Sequence, residues 1–275
     1  MKILILFIIA IVIIAIFAYF SMIMPGRSSK EKKSDFSGLY FAHRGLHNAE
    51  KGIPENTMAA FRAAVEKGYA IELDVRLTAD DMLVVFHDDD LMRLTGKKGT
   101  VESKKYKELK EYTVGGTQEH IPLLVEVLDM VGGRVPVMVD LMNGNRNQDL
   151  CVRSSGMLKA YPGKVCVGSF HPGIISWYKR NAPEIFRGLI VCQQKKYNAN
   201  IPKRVSYMKS HMLTNKVSRP QFIAYRNGSL PLAARFCYAA GALRIGWTCR
   251  KPGSEGKNSS VLFEGYEPPV KLSGK

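Results

Sequence analysis

Apolar positions along the chain fall into two kinds of segment. The first is a single unbroken run over residues 3–24, "ILILFIIAIVIIAIFAYFSMIM", with no charge and only Tyr19 and Ser21 as polar interruptions. At about 1.5 Å per residue it is long enough for a hydrocarbon core of roughly 30 Å. The run exceeds a usual signal-peptide core, no A-x-A-like cleavage site follows it, and no later neighbouring cysteine offers a lipidation point. Residues 1–24 are therefore expected to be an uncleaved single-pass transmembrane anchor.

The second kind is a series of short apolar runs alternating with helical patterns. The runs are "LYFA" (39–42), "AIELDV" (70–75), "MLVVF" (82–86), "VPVMVDL" (135–141), "KVCVGSF" (164–170), "FRGLIV" (186–191), "QFIAY" (221–225) and "LRIGW" (243–247). Between them lie helix-like stretches such as "PENTMAAFRAAVEKG", "NQDLCVRSSGMLKAY", "GIISWYKRNAP" and "SLPLAARFCYAAG". Continuously apolar strands alternating with helices predict an α/β fold with a parallel sheet buried on both faces. Eight such units suit a closed (β/α)8 barrel of the TIM type, with an open doubly wound sheet as the rival. The expected organisation is an anchor over 1–24, a polar tether over 25–37 and the barrel over 38–270.

Composition adds an electrostatic constraint. The 275 residues carry a formal net charge of +16, which favours an anionic partner. Lys195, Lys196, Lys203, Arg204, Lys209, Lys216 and Arg219 fall in one stretch without an acid among them. That stretch is either a solvated face or a surface resting on anionic lipid. No nucleic-acid module is recognised, so no nucleic-acid partner is expected. Five cysteines scattered singly, without CxxC spacing, read as buried reduced thiols. Arg27, Lys30, Lys32 and Lys33 follow the apolar run, against Lys2 and the terminal amine before it. The positive-inside rule then favours a cytoplasmic barrel.

Polar residues gather where the apolar runs stop. His43 follows the first run, Glu72 and Asp74 end the second, His87 follows the third, Asp140 ends the fourth and Trp247 the eighth. In a barrel of parallel strands these ends converge on one face, where such folds carry their chemistry. Glu72 and Asp74 are two apart on a strand and so share a side. Paired carboxylates need a cation, and hard oxygen ligands favour Mg²⁺ or Ca²⁺, with Asp140 as a third ligand. His43 and His87 titrate near neutral pH and fit a base and acid pair. Arg44 offers a planar fork of donors to a phosphate. In "PENT", Pro54 is read as opening a helix with Glu55 and Asn56 in its first turn. Glu55 then either caps that helix or orients the metal site.

The segments "AHRG", "PENT" and "ELDVRLTADDMLVVFHDDDLMRLTG", with "IPLLVEVL", "SFHPGIISWYKRNAPEIFRGLI", "GWTCR" and "VLFEGYEP", resemble the glycerophosphodiester phosphodiesterase family over residues 39–268. The resemblance implies a TIM barrel with a small insertion over 99–115. It implies a metal-dependent hydrolase that cleaves glycerophosphodiesters to sn-glycerol 3-phosphate and an alcohol. His43 and His87 match the family's acid/base pair, Glu72 and Asp74 its metal ligands, and Arg44 its phosphate-binding arginine. The chain departs from the family where Glu-x-Lys is usual and "DLM" stands, Asp140 to Met142. The loss of that lysine leaves the phosphate charge to Arg44 and the metal, unless another cation serves. Two other readings follow from the anchor and this departure. One is a lysophospholipase D-like enzyme acting on membrane lysolipids. The other is a membrane-tethered protein that binds phosphodiesters with weakened turnover.

Overall fold

In the computed structural model, which describes residues 2–272, the apolar run forms helix α1 (Lys2–Ile23). A short helix α2 (Lys30–Ser34) precedes strand β1 (Tyr40–His43). Helix α3 (Met58–Glu66) leads to β2 (Ala70–Leu77), and then comes a segment holding β3 (Leu83–Val85), α4 (Met92–Thr95) and α5 (Tyr106–Leu109). After it follow α6 (Leu124–Val131), β4 (Val137–Leu141), α7 (Asn147–Ala160), β5 (Val165–Ser169) and α8 (Pro172–Asn181). The chain ends with β6 (Phe186–Val191), α9 (Lys203–Ser210), α10 (Asn215–Ser218), β7 (Phe222–Arg226), α11 (Leu232–Ala239), β8 (Leu243–Cys249) and β9 (Ser260–Phe263).

Among the described residues, eight parallel strands close into a barrel in the order β1, β2, β4, β5, β6, β7, β8, β9, with β9 returning to β1. The TIM-type architecture expected from the alternation is the one observed. Alternate residues point into the barrel. Phe41, Ala70, Met138, Phe186, Phe222 and Leu262 pack as its inner cluster. The intervening positions, such as Ile71, Leu73, Val137 and Val139, pack outward against the helices. Gly188 makes room for this core, because a Cβ there would sit 2.3 Å from the Phe222 ring. All five cysteines are free and buried.

Four features depart from the sequence reading. The run 82–86 is not a barrel strand: β3 pairs antiparallel with the overhanging end of β2, Val75 to Val85 and Leu77 to Leu83. It opens an insertion with its own buried core of Val84, Phe86, Leu91, Val101, Leu109 and Ile121, so the insertion extends well beyond 99–115. The missing eighth barrel strand is β9, whose four residues were too short to stand out. Consequently Asp140 ends the third barrel strand rather than the fourth, and Trp247 lies on the seventh rather than the eighth. Helix α3 starts at Met58 with Thr57 as its N-cap, so Pro54, Glu55 and Asn56 form a loop before it, not its first turn.

The polar segment 25–37 is folded against the N-terminal end of the barrel. Phe36 is 3 % exposed and its ring stacks on Phe186, with centroids 5.3 Å apart. Gly26 N–H donates to Pro220 O and Gln221 Nε2 donates to Arg27 O. Helix α1 is 22 residues long, apolar and solvent-facing for most of its length, which suffices by length and composition to cross a membrane. Its last turn docks on the barrel. The C-terminal carbonyls of a helix lack intrahelical donors, and here Ile23 O accepts from Asn215 Nδ2 (2.8 Å) while Ser21 O and Met24 O accept from Arg219 Nη1. Phe20 packs on Phe236 of α11 at 4.7 Å between ring centroids.

Candidate active site

The positions that point into the barrel change from apolar to acidic on nearing the C-terminal rim. On β2 the inward set runs Ala70, Glu72, Asp74, and on β4 it runs Met138, Asp140. Parallel register sets Asp74 beside Asp140 and His43 beside Glu72. The carboxylates of Glu72, Asp74 and Asp140 each offer an oxygen within 4.8 Å of the others, and the three residues are 1 %, 1 % and 4 % exposed. Burial, reinforced by the neighbouring carboxylates, pushes the Glu72 and Asp140 carboxyls well above the usual range.

Partners inside the protein offset only part of this charge. Arg44 N–H donates to Glu72 Oε2 at 2.9 Å, and the Arg44 guanidinium lies 3.3 Å from Asp74 Oδ2. Asn56 Nδ2 donates to the same Asp74 oxygen at 2.8 Å. Arg44 and Asn56 both hold a left-handed backbone, φ 58° and 57°, which turns the loop so that each reaches the carboxylates. Asp140 Oδ1 is buried without a hydrogen-bond partner. An orphaned carboxylate oxygen beside two more carboxylates is a donor set that fits a hard divalent cation.

Two histidines flank the trio, each held by an acid. His43 Nδ1 donates to Glu264 Oε2 at 2.6 Å, which leaves Nε2 as its basic nitrogen. Glu264 sits at the exit of β9 and is also paired with Arg250. The hydrogen bond with His43 does most to hold the Glu264 carboxyl down at about 2, against burial. His87 comes from the insertion, descending to the rim from above. Phe86 N–H donates to Asp74 O, and Arg76 Nε donates to His87 O. His87 Nδ1 lies 2.7 Å from Asp88 Oδ1.

An ion-pair chain links the two sides. Asp88 pairs with Arg93, Arg93 with Glu55 at 2.7 Å, and Glu55 with Arg44 at 2.7 Å. Burial alone would raise the Glu55 carboxyl, but bonds to Arg93 and Arg44 hold it at about 2. Glu55 caps no helix, since Thr57 is the N-cap of α3; it is paired with Arg44 and Arg93 beside the carboxylate site. Trp247 has its indole N–H donated to Val191 O and Ala224 O, both at 3.0 Å, and meets Phe170 edge-on at 5.5 Å. It forms a wall rather than a reacting group.

A cavity of about 510 Å³ is lined by His87, Asp140, Met142, Tyr197, Lys209 and Trp247 among others. A second cavity, about 560 Å³, lies outside the rim between His47, Lys51 and Tyr266, and no carboxylate of the trio enters it. The structure therefore brings His43, Arg44, Glu55, Glu72, Asp74, His87 and Asp140 together, with Trp247 lining the mouth. Sequence reasoning missed Asn56, Arg93 and Glu264. Glu264 carried the same signal as the others, an acid directly after a short apolar run, but its strand had gone unrecognised. Nothing in the sequence marked Arg93, whose role depends on the insertion folding back over the rim.

The model of the "Glycerophosphoryl diester phosphodiesterase family" matches residues 43–261. The chain is 36% identical over 161 residues to a "Glycerophosphodiester phosphodiesterase" of Bacillus altitudinis, covering 53% of this chain and 63% of that one. It is 35% identical over 150 residues to "Lysophospholipase D GDPD1" of Rattus norvegicus, covering 50% and 46%. The matched part thus spans less than two thirds of either relative. A phosphodiesterase of Oleispira antarctica, solved in complex with the product sn-glycerol-3-phosphate, shares the fold with a TM-score of 0.68 at 22% identity, over 84% of this chain and 94% of that one.

Proposed function

The chain belongs to the glycerophosphoryl diester phosphodiesterase family, and from that premise we propose that it hydrolyses glycerophosphodiesters to sn-glycerol 3-phosphate and an alcohol. The observation that carries the reading is the convergence of two acid-held histidines, His43–Glu264 and His87–Asp88, on one buried carboxylate trio. Glu72, Asp74 and Asp140 would hold Mg²⁺ or Ca²⁺. Bound there, the cation supplies charge neutralisation for a non-bridging phosphate oxygen.

The residues divide the remaining work. Arg44, kept charged because Asp74, Glu55 and Glu72 outweigh its burial, donates to the phosphate oxygens as negative charge grows in the transition state. His43, its Nδ1 proton committed to Glu264, accepts at Nε2 the proton of the attacking oxygen, either water or the glycerol 2-hydroxyl. His87 protonates the departing alcohol. The Arg93–Glu55–Arg44 chain keeps the two halves in register. A p-nitrophenyl diester tests this division of roles, because its leaving group needs no proton. His87→Ala should lose several powers of ten on glycerophosphocholine and recover most of the loss on the p-nitrophenyl diester, whereas His43→Ala stays slow on both. Equal losses in the two variants on both substrates would refute the assignment.

We further propose that α1 anchors the barrel over 38–270 in a membrane, with the barrel on the cytoplasmic side. The lysophospholipase D reading draws on the rat relative and on the basic stretch 195–219. Against it, the docked end of α1 meets the barrel at the start of β7, whereas the catalytic cavity opens at the other end of the strands. A mouth turned away from the anchor favours a water-soluble diester. The binding-protein reading is disfavoured by the retention of both histidines with their acid partners.

A further inference from the structure

The cations around the catalytic cavity fall into two groups. Arg44, Arg76 and Arg93 each pair with carboxylates. Lys196 and Lys209 also line the cavity, on its far side, and among the described residues neither forms an ion pair. Arg226, whose guanidinium lies 5.8 Å over the Trp247 ring, is likewise unpaired there. No acid occurs between Cys192 and Arg219 to compensate them. Lys209 is not a freely solvated side chain. It is half-buried in the last turn of α9, its ammonium 5.8 Å from the Tyr197 ring centroid, and burial pushes its pKa down. Withdrawing an ammonium from water without a counter-charge is costly, and long lysine stems ordinarily reach outward to avoid it.

The position of this cationic wall defines what would meet it. One cavity joins His87 and Asp140, from the insertion and the third barrel strand, to Tyr197 and Lys209 after the fifth strand and Trp247 on the seventh. With His87 as the acid, the alcohol leaves into that cavity. We propose that Lys209, assisted by Lys196, forms an anion-recognition subsite for the departing alcohol, so that the preferred substrates are glycerophosphodiesters whose alcohol carries its own carboxylate or phosphate. The inference rests on the assignment of His87 to the leaving side. It also accounts for a lysine retained in the mouth of a site whose third barrel strand ends in Asp140-Leu141-Met142 without one.

Glycerophosphoserine and glycerophosphoethanolamine differ by a single carboxylate and form the diagnostic pair. With the full chain in detergent micelles, kcat/KM should be higher for the serine diester, and Lys209→Met should reduce the serine-to-ethanolamine ratio by roughly tenfold, the usual worth of a charge-assisted hydrogen bond. Lys196→Met should move it in the same direction by less. A ratio unchanged in Lys209→Met would mean a merely solvated lysine and overturn the proposal. Equal losses on both substrates would overturn it too, placing Lys209 on the scissile phosphate. The same ratio is read without turnover by calorimetric titration of the two diesters into His43→Ala, with and without Lys209→Met. If the wild-type protein cleaves neither diester, the hydrolase reading fails. The calorimetric ratio then decides the subsite by itself: a serine preference lost in Lys209→Met supports it, and equal binding refutes it.

Discussion

Replacing Asp140 by Asn should change stability in opposite directions depending on whether a divalent cation is present. Two carboxylates within 4.8 Å of each other repel by about 3.5 kcal/mol or more at an effective dielectric of 20. Burial and mutual repulsion both raise the Glu72 and Asp140 carboxyls, so without a cation the cluster favours protonation, which relieves part of this repulsion. A realistic relief on removing one charge is about 1–2 kcal/mol, or roughly 2–6 °C in Tm for a domain of this size. The amide also keeps the shape of the side chain, whose Oδ1 has no partner to lose. In chelator, then, Asp140→Asn should melt above wild type. In Mg²⁺ or Ca²⁺ at a hundredfold over Kd, wild type gains about 2.7 kcal/mol by linkage, and the variant should gain far less, so the order reverses. The assay is thermal unfolding of both proteins in detergent, with each cation and with chelator. A variant that melts below wild type by the same margin in all conditions would show that Asp140 is an ordinary structural acid, and the cation argument would fail.

Other consequences are narrower. Glu264→Gln should lower kcat by about a hundredfold or more with little change in KM. The amide can hold the His43 ring but removes the carboxylate that fixes its tautomer; an equal rise in KM would mean that Glu264 binds substrate instead. Glu55 and Glu264 are both held at about 2, below the ordinary 4.5 of a glutamate, so each stabilises the fold fully above about 4.5 and loses that contribution as pH falls towards 2. Each contributes at most about 3 kcal/mol. The Tm deficit of Glu55→Gln should therefore be largest at pH 6–7 and shrink steadily below pH 4.5, and a deficit independent of pH would contradict the ion-pair account.

Much of the barrel was legible because a strand buried on both faces must be apolar throughout, as "VPVMVDL" and "FRGLIV" are. The same property hid two errors. The run 82–86 has the composition of a barrel strand, and composition does not tell a parallel neighbour from an antiparallel one; only the pairing of Val75 with Val85 does. Strand β9 is four residues after a polar loop, and with it went Glu264. The carboxylates and histidines were readable since each ends an apolar run. Asn56 was not, because its role comes from a left-handed backbone before α3 and not from any spacing. The segment 25–37 looks like a tether by composition, yet the Phe36 stack on Phe186 and hydrogen bonds at Gly26 and Arg27 fasten it across the base of the barrel. Lys209 reads in sequence as one of many surface lysines, and its isolation in the catalytic cavity is visible only in three dimensions.

The most direct test of the central claim is the release of sn-glycerol 3-phosphate from glycerophosphodiesters by the full chain in detergent, with Mg²⁺, with Ca²⁺ and with chelator. Release that requires one of the two cations and falls by several powers of ten in His43→Ala is the predicted result. Release that persists in chelator, or that His43→Ala leaves at the wild-type rate, would contradict a cation-assisted mechanism built on His43 and the Glu72–Asp74–Asp140 trio.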